Sequence, residues 1–288
     1  MQLLLSILID GVAYGMILFM IAVGLSVTMG LMRVVNLAHS VFAMAAGFTA
    51  HWLISRFGLS FEFSALIAIL VAMAIAWPLD LLLFRRIYGM DDLEQVLLTI
   101  GLVFIAIATA TVLFGTEVRA VKLPAYLTGS LDIGVRVLPF HRLVVIVAGI
   151  VIAFLLWCLV EKTRFGIHLR AAVDNEGTAA SLGINTSRTY SYAFLLGAAL
   201  AALGGILGAE LLPIEANYPL RYLVLILLVV AVGGMGSIAG SLVAALLLGI
   251  IDTAGRYFVP ELGTIMFYAA TIVILAVKPN GLFGRKVS

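Results

Sequence analysis

The sequence predicts an all-α polytopic membrane protein with about eight to nine transmembrane segments, folded as a single domain over residues 1–288. Three observations carry that expectation. The chain is 64% hydrophobic and only 11% charged, far from the balance of a soluble domain. Its apolar runs have the length that a hydrocarbon core roughly 30 Å thick requires. Its polar residues gather in the stretches between those runs, none long enough to form a folded domain.

The composition also bears on function. A formal charge of +2 is too small to suggest nucleic acid. Cys158 is the single cysteine, so no internal disulfide can form and a metal site is disfavoured. No G-x-x-x-x-G-K-S/T occurs, so the chain cannot cradle nucleotide phosphates by that route. H-E-x-x-H, paired catalytic carboxylates and cysteine–histidine clusters are likewise absent from the sequence, which argues against an enzyme.

The first run, Leu3 to Met32, is interrupted only by Asp10. The N-terminus lacks the basic region of a signal peptide, so this helix is expected to stay as an anchor. Asp10 is expected at the membrane interface, because a carboxylate at mid-membrane costs about 2.5–3.5 kcal/mol. Gly11 and Gly15 form a small-xxx-small pair that lets a second helix approach. Glycines and hydroxyls from Gly24 to Gly30 weaken the helix near its end, and Arg33, Asn36 and His39 sit where a new one begins. Asn36 and His39 border hydrocarbon and need partners. Either they mark a translocation pathway, or they cap Val41–Ser55 and bond to backbone carbonyls.

Val41–Ser55 is the next span, followed by Phe63–Phe84. Pro78 is expected to kink the latter. Asp80 lies about one turn from Arg85 and Arg86; it is expected to reach the interface in a structural role, and the arginines mark a cytoplasmic turn. Asp91, Asp92 and Glu94 suit a helix N-terminus, after which Val96–Phe114 spans without a charge. Gly115–Arg142 mixes both signs of charge and reads as an external loop, with a short hairpin of strands around Gly129-Ser130. After Leu143–Val160 and Tyr190–Ala209, Glu210 and Glu215 fall in an external turn, where they can meet a substrate ammonium, a basic patch on a partner or only water, and water is the expectation. Tyr222–Ile251 is too long for one untilted span, so the cluster Gly233–Gly240 is expected to break it in two. Backbone freed there is tolerable only if buried in protein or lining a cavity, which makes Gly233, Gly234 and Gly236 pathway candidates. Gly263–Val277 is the last span, with a basic tail to Lys286 inside. The spans hold almost no mid-membrane charge, whereas a self-sufficient channel or secondary transporter needs coupling carboxylates or a selectivity ring.

The one long polar run is Glu161 to Asn185. Lys162, Arg164, Arg170 and Arg188 place it on the cytoplasmic side. Asp174 or Asn175 can cap a short helix, Ala179, Ala180 and Leu182 can continue it, and Gly183 can end it. A basic loop that only sets orientation needs no such helix; a loop that transmits force to a soluble partner does.

The order Thr163, Phe165-Gly166, Leu169-Arg170-Ala171, Asn175, Ala179, Leu182-Gly183-Ile184-Asn185 resembles the cytoplasmic coupling loop of Liv-type permeases, membrane subunits of ABC importers for branched-chain amino acids and related amides. A second stretch, Gly24 through Arg33, Asn36, Ala38-His39 to Gly47, resembles the N-terminal signature of the same family. The loop departs from the EAA loop of other ABC importers, since Glu176 is followed by Gly177-Thr178 rather than by two alanines. The resemblance implies an ABC importer permease fold in a bacterial inner membrane. It implies that loop 161–188 docks on an ATPase subunit through the segment Arg170, Asp174, Asn175, Glu176, Ala179, Ala180, Leu182 and Gly183. It also implies a second related permease, two ATPases that hold ATP and Mg, and an external substrate-binding protein. Urea or short amides are the alternative substrates.

Overall fold

A computed structural model describes residues 2–31, 35–87, 90–132, 137–259 and 263–284. Arg33 of the N-terminal signature and the basic tail residues Arg285 and Lys286 lie outside the described residues. The chain forms α1 (Gln2–Leu31), α2 (His39–Phe57) and α3 (Phe61–Leu79). A π-helical turn, Asp80–Phe84, carries α3 on into α4 (Arg85–Ile87). Next come α5 (Asp92–Phe114), α6 (Ala125–Thr128), β1 (Ser130–Asp132), β2 (Val137–Pro139) and α7 (Phe140–Lys162). The remainder is α8 (Arg164–Asp174), α9 (Glu176–Ser181), α10 (Thr186–Leu207), α11 (Tyr218–Gly233), α12 (Ile238–Phe258) and α13 (Gly263–Val277).

Among the described residues six helices are long and apolar enough to cross a membrane: α1, the α3–α4 rod, α5, α7, α10 and α12. The apolar helices α11 and α13 are shorter. The protein is thus an all-α multi-pass membrane protein. In the absence of water, every backbone group of a span must be satisfied within its own helix, which is why these apolar runs can only be helical.

α1 is the axis of the bundle. Ile17 through Val23 have no exposed surface. α10 and α12 pack along α1, α2 packs against α10, and α7 and α11 also touch α1. The sequence expectation for Gly15 holds: a Cβ there would lie 2.7 Å from the Ala245 carbonyl oxygen, so only glycine lets α12 come this close. α3, α5 and α7 lie outside and present Leu66, Leu70, Phe104, Val112, Val147 and Phe154 as exposed surface, as helices facing lipid or another apolar chain do.

Two helices begin inside the bundle. His39, the first residue of α2, hydrogen-bonds the Ile21 carbonyl oxygen at 3.0 Å, deep within α1. Ser40 donates to the Pro219 carbonyl at 3.2 Å, which ties the start of α2 to the start of α11. His39, Ser40 and Tyr218 are all buried. Pro78 does not end α3. Proline removes a donor from the helical ladder, and the widened turn Asp80–Phe84 follows it directly.

The two ends of the bundle differ. At one, Tyr257 donates to Asp10 at 2.5 Å, Arg142 pairs with Asp10, and the Arg119 N–H donates to the Ile214 carbonyl at 2.8 Å. The antiparallel pair β1–β2 lies in the loop at this end, with Leu131 opposite Leu138, where a hairpin was expected. Glu210 and Glu215 do not merely face water, as the sequence suggested. Glu210 sits 2.9 Å from His141 Nδ1, and Glu215 accepts from Arg221 at 2.6 Å. Among the described residues Asp10, Glu117, Glu210 and Glu215 all have basic partners here, which a count along the sequence cannot reveal. At the other end lie Arg85, the polar loop, the α11–α12 turn and the last described segment, whose Leu282 N–H donates to the Val232 carbonyl at 2.7 Å. These are called below the hairpin face and the loop face.

Candidate coupling loop and apolar cavity

The polar loop is a folded helical pair rather than a single short helix. Thr163 opens α8: its hydroxyl oxygen accepts from the Gly166 N–H at 3.4 Å and its own proton goes to the Leu159 carbonyl at 2.5 Å. Leu169 and Ala172 turn inward while Ile167 and His168 face out, so α8 buries one stripe against the bundle. Of the two cap candidates Asn175 is the one used, its Oδ1 accepting from the Thr178 N–H at 2.9 Å. Gly183 ends the pair with φ +85°, while the Ile184 and Gly183 N–H groups return to the Ala179 and Ala180 carbonyls at 3.1 and 2.9 Å. Asn185 then caps α10 by accepting from the Arg188 N–H at 3.0 Å. The Tyr190 hydroxyl donates to the Ala172 carbonyl at 2.9 Å and so binds α8 to the first turns of α10. α7, loop and α10 are one hydrogen-bonded unit.

Burial divides the expected contact residues. Asp174, Asn175, Glu176, Ala180, Leu182 and Gly183 are exposed, with Leu182 at 77%. Ala179 is not a surface residue. At 2% exposure it fills the inside of α9, because the turn that presents Ala180 outward must turn its neighbour inward. Arg170 is also drawn in, donating to the Val160 carbonyl at 2.6 Å and pairing with Glu161 at 3.3 Å, so it fastens the loop to the end of α7. Between the loop and α10 runs an open groove of about 530 Å³ whose wall includes Phe165, His168, Leu182, Arg188 and Tyr192. α8 was not expected as a helix, although Phe165, Leu169, Ala172 and Val173 recur at helical spacing.

A second feature is a half-open cleft at the edge of the bundle, part of whose wall, Ile105 and Leu113, is exposed. An apolar cavity of about 420 Å³ separates α5 from α2 and α3, walled by Ala38, Phe42, Phe48, Ile75, Leu79 and Ala106 among others. Its side chains are almost all hydrocarbon. Thr49 and Thr109 also line it, but both hydroxyls are bonded to carbonyls of their own helices. Asn36 stands beside its wall, its Oδ1 accepting from the Ala38 N–H at 3.0 Å. Asn36 is fully buried, and its Nδ2 has no partner among the described residues. Phe42 and Phe84 line it, and the buried ring of Phe194, outside the lining, packs against both with centroids 5.8 and 4.6 Å apart.

The structure does not bring all the pathway candidates together. Asn36 and His39 flank the cavity-lining residue Ala38. Gly233, Gly234 and Gly236 sit at the loop face, where the turn between α11 and α12 packs against Gly30 and the segment 281–284, and none of them lines the cavity. A residue that the sequence did not single out, Gln95, shapes the inner approach. Its Oε1 accepts from the Val35 N–H at 2.8 Å, and its Nε2 donates to the Met90 carbonyl at 3.0 Å, joining the α1–α2 connection to the α4–α5 turn. Gln95 follows Asp91, Asp92 and Glu94 directly, so in the sequence it reads as one more polar residue of a helix N-terminus.

A polytopic helical bundle with a folded polar loop at one face and an apolar cleft between α5 and α2–α3 is a multi-pass membrane protein. The family model described as branched-chain amino acid transport system / permease component matches residues 7–275, and the chain belongs to that family. It is 25% identical over 291 residues to the high-affinity branched-chain amino acid transport system permease protein LivH of Salmonella typhimurium, covering 96% of this chain and 94% of that one. The corresponding protein BraD of Pseudomonas aeruginosa is 25% identical over 294 residues, covering 96% and 95%. A shorter match, 33% over 111 residues and 36% of this chain, is to the nucleoside ABC transporter permease protein NupC of Lactococcus lactis. No solved structure matches. As a permease component the chain is a transport protein and not an enzyme.

Proposed function

We propose that this chain is the permease subunit of an ATP-driven importer for branched-chain amino acids in a bacterial inner membrane. The carrying observation is the folded loop, a capped helical pair hydrogen-bonded to the two spans it joins and presenting Leu182 to water. Exposed Leu182 and Tyr192 share the wall of one groove with Phe165 and Ile184, an apolar surface suited to being covered by a soluble partner. In this reading α8–α9 seat on an ATPase subunit that holds ATP and Mg, and the groove lined by His168 and Tyr192 takes part in the docking. Two such ATPases, a second related permease and an extracytoplasmic substrate-binding protein complete the assembly. The bundle then has nine segments, with α2, α11 and α13 as its shorter members, the N-terminus outside and the loop face in the cytoplasm.

The cavity suits an aliphatic side chain, which gains about 1.5–3 kcal/mol on leaving water. Its walls offer no partner to the charged ammonium and carboxylate of an amino acid, any more than to urea or an amide, so the preference for branched-chain amino acids rests on the relatives and not on the cavity. Uptake of labelled leucine, urea and acetamide by the intact complex in proteoliposomes tests the reading. Saturable leucine uptake that needs ATP is expected. Urea uptake without leucine uptake would sink the substrate, and uptake without ATPase subunits would sink the importer.

Sidedness is checked separately in a Cys158→Ser background. In whole cells an impermeant thiol reagent is expected to label Tyr126→Cys, which is 57% exposed at the hairpin face, and to spare Asp174→Cys. The reverse pattern would invert the topology.

A further inference from the structure

We infer that Asp80, Arg85 and Ser191 form a latch joining α10 to the inner end of the apolar cavity, so that movement of the loop opens the Phe42–Phe194–Phe84 closure. The inference rests on the function proposed above and adds a route by which the loop's displacement reaches the solute.

Ser191 lies in the second turn of α10, just beyond the loop, and is buried. Its hydroxyl donates to the Asp80 carboxylate and accepts from Arg85 Nη2 at 2.8 Å. Arg85 Nε is 3.4 Å from the same carboxylate. Asp80 is only 1% exposed, so its carboxylate is enclosed by protein. A carboxylate enclosed in this way is sustained only by partners, and the three groups act as a unit.

Position gives the unit its leverage. Asp80 begins the π-helical turn, and Leu79, just before it, and Phe84, its last residue, both line the cavity. A π turn differs from the α ladder by one hydrogen-bond register, so it is a place where a helix can shorten or rotate without breaking. One turn beyond Ser191, the buried ring of Phe194 stands between Phe42 and Phe84. α10 therefore grips the cavity twice, through a polar latch on Asp80 and an aromatic wedge on Phe84. The first turns of α10 are themselves fixed to α8 by Tyr190, so displacement of the loop is passed on instead of being absorbed.

Asp80→Asn and Ser191→Ala, singly and together, test the latch in the intact complex, with ATP hydrolysis and leucine uptake read on the same vesicles. ATPase association and hydrolysis are expected to stay near wild type. Leucine moved per ATP is expected to fall about tenfold in each single variant, within the usual range of coupling between sites. The double variant should be no worse than either single, as befits groups that act as one. Unchanged leucine per ATP in both single variants would overturn the latch. Phe194→Leu, which keeps the latch but softens the wedge, is expected to admit leucine without ATP; vesicles as tight as wild type would overturn the closure. Access to the cavity gives a readout that does not depend on the substrate. With Cys158→Ser, Ala110→Cys on the cavity wall should react faster with a thiol reagent from the loop face when Ser191→Ala is added, and equal rates would overturn the latch. Wild-type complex that hydrolyses ATP but carries no leucine would instead refute the function reading, and the labelling rates then decide the latch alone.

Discussion

Gly234→Leu is expected to abolish uptake and to lower the melting temperature of the purified protein by roughly ten degrees. Gly234 has φ +91° and ψ 120°, a conformation that costs an L-residue with a side chain on the order of 1–3 kcal/mol. A Cβ there would also stand 2.8 Å from Gly284 Cα and 3.0 Å from the Phe283 carbonyl carbon. That segment is held against the end of α11 by the Leu282 and Phe283 N–H groups, at 2.7 and 3.2 Å from the carbonyls of Val232 and Gly233, so it cannot step aside without breaking both bonds. Backbone strain, steric overlap and two lost hydrogen bonds together reach several kcal/mol, and a chain of this size loses roughly 2–4 °C per kcal/mol. Thermal melts in detergent and uptake in vesicles measure the effect. A melting temperature within a degree or two of wild type would show that the turn tolerates a side chain and carries no such strain.

Ala180→Arg is expected to reduce docking of the ATPase about a hundredfold while leaving the melting temperature of the permease unchanged. Ala180 faces water in α9, beside the 77% exposed Leu182, so an arginine fits the free protein at no cost. In the docked complex it would be a buried unpaired charge, worth about 3 kcal/mol or more, which is two decades in affinity. Ala179→Arg, one residue earlier, makes the contrast. Ala179 is 2% exposed, so that substitution unfolds the loop itself, and the permease's own stability should drop. Pull-down of the ATPase and thermal melts of the permease alone separate the two. Normal ATPase association and uptake in Ala180→Arg would leave the loop as a topological anchor.

Much of this was legible in the sequence because the bilayer imposes a strong and local rule. A run of apolar residues must be helical where no water can satisfy its backbone, so the spans, the glycine break after Gly233 and the close-packing Gly15 could be read without any tertiary contact. Turn chemistry is local as well: Asn175 and Gly183 signalled a short helix from within a few residues of each other. What the tertiary structure alone decided is everything set by residues distant in sequence. The inward face of Ala179, the pairing of Glu210 with His141 and the burial of Asp80 against Ser191 depend on which helices meet, and local pattern carries no record of that. The same holds for the cavity. Phe42, Phe84 and Phe194 look like any other aromatics in apolar runs, and only the crossing of α2, α3 and α10 packs them together, because a packing contact between spans is fixed by helix neighbours and not by helix propensity.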